Sequence, residues 1–169
     1  MDDLVKAAMT KWPNVPDCRG WLALDARGDW YMRDDACQRA GAFPHPKGSR
    51  ITHDKLRDFI ARNYQPDAHG AWHFQNGPQR VFVALEAAPL VLIDVAEADA
   101  LAHTGERLPL EAFWLDEAGW LYASTPRGLA LVHSQAMDAA ADWVAAGAWQ
   151  PREVQRAELP ARFGFQLNP

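Results

Sequence analysis

Between Thr52 and Val95 the apolar positions change period twice. Leu56, Phe59, Ile60 and Tyr64 recur at helical spacing while Lys55, Arg57, Asp58 and Arg62 fall opposite. This predicts a helix capped by Thr52, with Asp54 at the positive end of its dipole. After Pro66 the period becomes two, with Trp72 and Phe74 on one side and His73 and Gln75 on the other. Asn76-Gly77-Pro78 breaks that strand, and Val81, Val83 and Leu85 begin the next. Ala88-Pro89 breaks the chain again before Leu90 to Val95, which is apolar enough to be buried on both faces. The stretch predicts a helix laid on an antiparallel meander.

The rest of the chain extends or echoes that unit. Leu4, Val5, Ala8, Met9 and Trp12 form one stripe of a short helix stopped by Pro13. Trp21, Leu22 and Leu24 lead through a turn to Trp30, Tyr31 and Met32, which predicts a hairpin. Residues 33–50, with Gly41, Pro44, Pro46 and Gly48, lack sustained periodicity and read as a long loop. Asp25-Ala26-Arg27-Gly28 before Trp30, Asp67-Ala68-His69-Gly70 before Trp72, and Asp116-Glu117-Ala118-Gly119 before Trp120 repeat one turn chemistry. In it Asp caps its own turn, Gly takes a positive φ, and Trp restarts a strand. The third copy continues through a turn at Pro126-Arg127-Gly128, a strand at Leu129 to Val132 and a helix from Ser134 to Gly147. Hairpin, strand and helix thus occur twice, joined by a linker at 96–109. The tail, with Leu159, Phe163, Phe165 and Leu167, is expected to return over an exposed edge.

Composition narrows the function classes. The chain has 169 residues, 49% hydrophobic and 23% charged, as expected of a folded protein with a core of its own. No apolar run reaches the roughly 18 residues that cross a bilayer, and the acidic start lacks a signal-peptide pattern, so a cytoplasmic location and no membrane partner are expected. A net charge of -5 argues against nucleic acid as a partner. Cys18 and Cys37 have no metal-ligand or disulfide-framework spacing and read as reduced thiols. His69 and His73 fall on a turn and a strand, which spreads them too far to share a metal; no metal and no cofactor are expected.

Two candidate binding segments remain. The first is Gln75, Asn76, Gln79 and Arg80, where carboxamides offer donors and acceptors and the guanidinium offers a planar fork for a carboxylate or phosphate. The competing reading is plain turn chemistry, with Arg80 paired to Asp34 or Asp35. The second is Arg33 and Asp34 with Lys47, Ser49 and Arg50, at the two ends of the long loop. Lys47-Gly48-Ser49 ahead of a helix has the flavour of an anion cradle but lacks the earlier glycine of a P-loop. The catalytic residue types present carry no nucleophile-elbow or base-partner signature.

Gly20-Trp21-Leu22, the turn from Asp25 to Trp30, Met32-Arg33-Asp34, Lys47-Gly48-Ser49 and the run Gln75 to Val81 resemble an uncharacterised proteobacterial family of small cytosolic proteins, over most of Trp12 to Val144. The order of elements is more distantly similar to a second uncharacterised family with duplicated α+β domains, the later one superficially like a pleckstrin-homology fold. That resemblance implies a binding site at a domain junction, connected with signalling, and brings no catalytic residues. Residues and resemblance together predict an α+β protein of two related beta-rich halves, 1–95 and 96–169, each a meander with a packed helix. The expected function is non-catalytic binding of a small acidic ligand, a peptide or a protein partner in the cleft between the halves. A hydrolase or transferase with residues from both halves, and a structural or assembly protein with an exposed apolar patch, are the other two classes.

Overall fold

The computed structural model describes residues 1–169. The chain begins with helix α1 (Asp3–Lys11), strands β1 (Cys18–Leu24) and β2 (Trp30–Met32), helix α2 (Asp35–Ala40), β3 (Ser49–Arg50), α3 (Asp54–Arg62), β4 (Tyr64–Pro66), β5 (Trp72–Asn76) and β6 (Gln79–Leu85). It continues with β7 (Leu90–Val95), β8 (Asp99–Ala102), β9 (Arg107–Pro109), β10 (Ala112–Asp116), β11 (Leu121–Thr125), β12 (Gly128–Val132), α4 (Met137–Ala145), β13 (Arg152–Val154) and α5 (Leu159–Phe163). Two compact units result. Unit 1 comprises Met1–Asp25, Asp29–Glu86 and Phe165–Pro169, and unit 2 comprises Ala26–Gly28 and Ala87–Gly164. Strand β7, at the end of the expected first half, counts with unit 2. No helix is long and apolar enough to cross a membrane.

Each unit is built on one sheet, and the two sheets share their wiring. Unit 1 has six strands in the order β3-β2-β1-β6-β5-β4, and unit 2 has seven in the order β13-β10-β11-β12-β7-β8-β9. Leaving β13 aside, each is an antiparallel three-strand meander followed by a second one. In both, the last strand of the second meander runs parallel to the first strand of the first, β6 beside β1 and β12 beside β7. The fold is therefore α+β, with two related beta-rich halves.

The helices do not follow the duplication. In unit 1, α2 and α3 interrupt the strands, whereas in unit 2 β8, β9 and β10 follow one another on short turns and α4 comes after the last meander strand. Three expectations are corrected here. The long loop at 33–50 contains α2 and β3, the linker at 96–109 contains β8 and β9, and the cap of α3 is His53, whose Nδ1 accepts from Leu56 N at 3.3 Å, rather than Thr52. The tail does tie down an edge strand, with β13 pairing parallel to β10. Its last residues bond to unit 1, where Leu85 N donates to Leu167 O at 2.8 Å and Gln166 N donates to Gly70 O at 3.0 Å.

The repeated turn has the chemistry its sequence dictates. The Oδ1 atoms of Asp25, Asp67 and Asp116 accept from the backbone N–H four residues on, at Asp29, Ala71 and Trp120, each at 2.9 Å. Gly28, Gly70 and Gly119 take φ of 79, 76 and 81°, the left-handed region that only glycine enters at little cost. The tryptophans are not equivalent, however. Trp30 and Trp72 are both buried against Tyr64, with ring centroids 5.0 and 4.7 Å away, and α3 closes this core by setting Phe59 edge-on to Phe74 at 5.5 Å. In the third turn Trp120 comes one position early, so Leu121 takes the buried place and Trp120 lies half-buried under the Arg156 guanidinium at 3.9 Å.

Candidate functional site

All nine residues singled out by sequence lie in unit 1, in two groups. In the first, nearly every side chain is engaged in folding the chain. Arg33 is buried, and its Nη2 donates to the carbonyls of Gly41 at 2.6 Å and Pro46 at 3.2 Å, so it gathers the loop around itself. Asp34 caps α2, accepting from Cys37 N at 2.8 Å. Lys47 donates to the buried Asp25 carboxylate at 2.9 Å, with Glu86 at 3.7 Å. Burial by itself would lower the Lys47 pKa, but Asp25 and Glu86 hold it above the ordinary lysine value. Arg50 pairs with Asp29 at 2.9 Å, and Ser49 is an exposed residue of β3 opposite Met32. Gly48 has φ of 104°, and a side chain there would meet Met32 O at 2.4 Å. Lys47-Gly48-Ser49 is thus a close approach of two strands.

The second group sits on the β5–β6 hairpin, where strand alternation divides it between two faces. Gln75 pairs with Arg80, and Asn76 with Gln79. Gln75 and Arg80 therefore share one face with His73 and Phe82, while Asn76 and Gln79 share the other with Phe74 and Val81. Each face carries a cavity. On the α1 face a space of about 380 Å3 is lined by Met9, Trp12, Pro13, Val15, Asp17, Gln75, Pro78 and Arg80. On the α3 face a largely apolar one of about 350 Å3 lies among Trp21, Met32, Leu56, Phe59 and Phe74, with Asn76 and Gln79 also lining it. The first exists because α1 is thinly anchored. Of its apolar stripe only Val5 is buried, and Met9 and Trp12 stay open, Trp12 at 50% exposure.

The Arg80 fork is already occupied. Its Nε and Nη2 donate to the two oxygens of Asp17 at 2.9 and 2.8 Å, and Arg19 reaches the same carboxylate at 4.0 Å. Both guanidiniums lie against the Phe82 ring, 4.0 Å away for Arg19 and 5.3 Å for Arg80. The ion-pair partner is Asp17, neither Asp34 nor Asp35, because the parallel pairing of Cys18 with Val81 brings the start of β1 alongside Arg80. Gln79 Nε2 donates to Pro16 O at 3.0 Å, and Asn76 is exposed. Gln75, only 1% exposed, donates from Nε2 to Gly77 O at 3.0 Å, and the His73 side chain lies beside it within hydrogen-bonding reach. His73 is also buried, and burial, helped by the Arg80 charge, pushes its pKa below the ordinary histidine value against the opposing pull of its hydrogen bonds to Ala71 and Gln75.

The sister hairpin of unit 2 separates what the fold requires from what unit 1 adds. The two hairpins have turns of equal length, so His73 corresponds to Tyr122, Gln75 to Ser124 and Arg80 to Leu129. In unit 2 the buried polar group is fully engaged. Tyr122 OH donates to Asp116 Oδ2 at 3.0 Å, and Arg156 Nε donates to the same oxygen at 2.8 Å. Burial alone would raise the Asp116 pKa, but Arg156, Tyr122 and the turn amides hold it below the carboxylate range, and Tyr122 is pushed up by burial and by Asp116. Sequence reading missed Asp17 and the Asp116–Tyr122–Arg156 cluster. Asp116 carried a signal as a turn cap, but nothing local announces Arg156, which is 40 residues away.

No group of three or more His, Cys, Asp or Glu is gathered as metal ligands would be. The Cys18 thiol, on the α3 face, has its pKa pushed up by burial, away from a reactive thiolate. The ionisable groups of the α1-face cavity, Asp17 and Arg80, neutralise each other.

No curated protein gives a significant match. Two solved structures share the fold. The crystal structure of a DUF1285 family protein from Silicibacter pomeroyi DSS-3 is 15% identical with a TM-score of 0.52, covering 84% of this chain and 84% of that one. The crystal structure of a DUF1285 family protein from Shewanella baltica OS155 is 14% identical with a TM-score of 0.50, covering 77% of this chain and 93% of that one. The family model DUF2944, described as "Protein of unknown function (DUF2946)", matches residues 1–169, and the chain belongs to that family.

Proposed function

We propose that the protein is a non-catalytic binding module whose ligand occupies the cavity of unit 1 between α1 and the β5–β6 hairpin. One observation carries this reading: a cavity of about 380 Å3 sets the exposed apolar side chains of Met9 and Trp12 beside the polar groups of Gln75, Asp17 and Arg80. The fold does not demand Gln75 or Arg80 there, since the sister hairpin carries Ser124 and Leu129 at their positions. Apart from Asp17, Gln75 and Arg80 the lining is apolar and in part exposed, notably Met9 and Trp12 of α1. Such a mixture of apolar wall and a few placed polar atoms is what small-ligand sites share.

A peptide added as a strand is disfavoured, because the free sheet edges are short or end on proline: β3 has two residues and β13 three, and β4 and β9 stop at Pro66 and Pro109. A fragment screen of the isotope-labelled protein by amide-detected NMR tests the proposal. Binders should shift the Trp12 indole N–H and the Gln75 side-chain amide, and Trp12→Ala should weaken them about tenfold, in keeping with the loss of a stacking surface. Hits that gather instead around Trp21 and Leu56 would show that the α3 face is the site.

A further inference from the structure

We infer that the second cavity of unit 1, on the α3 face, is a site of its own for an uncharged amphiphile, an alkyl or aryl body ending in one neutral polar group such as a hydroxyl. The sheet divides it from the α1-face cavity, so it stands apart from the function proposed above. Strand β1 makes the space. Cys18 lies opposite Val81 and Leu22 opposite Val83, so four steps along β1 are set against two along β6, and the chain bulges between them through Gly20 at φ 84°. The bulge sets Trp21 at the mouth beside Met32 and Leu56, and with these three 39, 50 and 36% exposed the space is an open cleft, not a packing void. The wiring does not require it. At the sister join, Ala130, Leu131 and Val132 of β12 face Leu90, Val91 and Leu92 of β7 one for one.

The lining grades from polar to apolar across the sheet. At the tip of the β5–β6 hairpin Asn76 pairs with Gln79, the next row sets Phe74 against Val81 with Cys18 beyond, and the far end is Leu22 against Met32. Helix α3 supplies the facing wall with Leu56, Phe59 and Ile60. No charged side chain lines the space, and burial holds the Cys18 thiol neutral. A carboxylate or ammonium drawn in would lose water with no counter-charge to meet it. A single hydroxyl or carbonyl can instead meet the exposed Asn76 carboxamide, which both donates and accepts. The volume sets the length: about 150 Å3 takes a benzene ring, so about 350 Å3 takes roughly a dozen non-hydrogen atoms.

Straight-chain alcohols from hexanol to dodecanol, with octanoate and octylammonium as charged matches to octanol, are titrated into the full-length isotope-labelled protein while the Trp21 indole and Asn76 side-chain signals are followed. Affinity should rise about three- to fourfold per methylene until the cavity is full at about ten or eleven carbons. Octanol should bind at least about tenfold more tightly than octanoate or octylammonium. Leu56→Ala, at the mouth, should weaken octanol about tenfold. Asn76→Asp should raise the affinity for octylammonium about tenfold, because the new carboxylate would meet the head group, a change that a merely greasy patch would not show. The amide spectrum reports that each variant keeps its fold. No shift at Trp21 from any alcohol, whatever happens at Trp12, would overturn this site and leave the α1-face function standing. Octanoate or octylammonium binding as well as octanol, affinity indifferent to chain length, or Asn76→Asp without effect on octylammonium would overturn the ligand class. Alcohols that act at Trp21 as expected, beside a fragment screen empty at Trp12, would strike the earlier proposal and uphold this one.

Discussion

Asp116 shows how far one side chain reaches in this protein. Its carboxylate has no solvent exposure and accepts from Ala118 N, Trp120 N, Tyr122 OH and Arg156 Nε. Removing it leaves buried donors with nothing to meet, and Asp116→Ala should cost about 3–5 kcal/mol of stability. Arg156→Ala removes one charged bond to a partly exposed guanidinium and should cost less, about 2 kcal/mol. Because the Asp116 pKa is lowered by folding, its stabilisation is full above the ordinary value of 3.8 and is lost as pH falls through the lower folded value. Urea midpoints between pH 5 and pH 2 should therefore drop steeply in the wild type and less steeply in Arg156→Ala. A parallel fall in both would mean that other carboxylates carry the acid transition.

At the scale of elements, the hairpins were legible and the short pieces were not. Alternation and Asp-x-x-Gly turns mark β1, β2, β5, β6 and β10 to β12, since strand period and turn chemistry are both written locally. Helix α2 and strand β3 left no such mark. Six and two residues are too few for periodicity, and their placement depends on Arg33 holding the carbonyls of Gly41 and Pro46. Strands β8 and β9 were hidden because alanines at positions 98, 100 and 102 give little hydrophobic contrast, although Ala100 and Ala102 are wholly buried. The glycines provide a test at this scale. Gly48→Ala must both hold a positive φ and move Met32 O, while an added methyl at Gly119 meets nothing within 4 Å. Gly48→Ala should cost roughly 3 kcal/mol or more and Gly119→Ala about 1–2 kcal/mol, read from denaturant titration. Equal costs would refute the close approach.

For the whole molecule, duplication of the wiring explains why the two sheets look alike while their polar residues differ. A shared backbone plan needs the turn aspartates and the buried rows, and it tolerates exchange of Gln75 for Ser124 or Arg80 for Leu129. Unit 1 also depends on the far end of the chain. Phe165 is buried, and Leu167 and Gln166 bond to Leu85 and Gly70. Phe165→Ala should lower stability by about 3–5 kcal/mol, and removal of 165–169 by at least as much, measured by chemical denaturation. An unchanged midpoint would show that the tail merely rests on the unit.

By itself the sequence determined the α+β class, the hairpins, the recurring aspartate turn and the β5–β6 segment as the place to look. These follow from periods and turn residues that act within a few positions of themselves. Only the tertiary structure decided that Arg80 belongs to Asp17, that Gln75 is buried behind a cavity beside a thinly anchored α1, and that Arg33, Asp34 and Lys47 serve the fold. The reason is the parallel pairing of β1 with β6. It joins residues some sixty positions apart, and no local pattern encodes which strand will lie beside which.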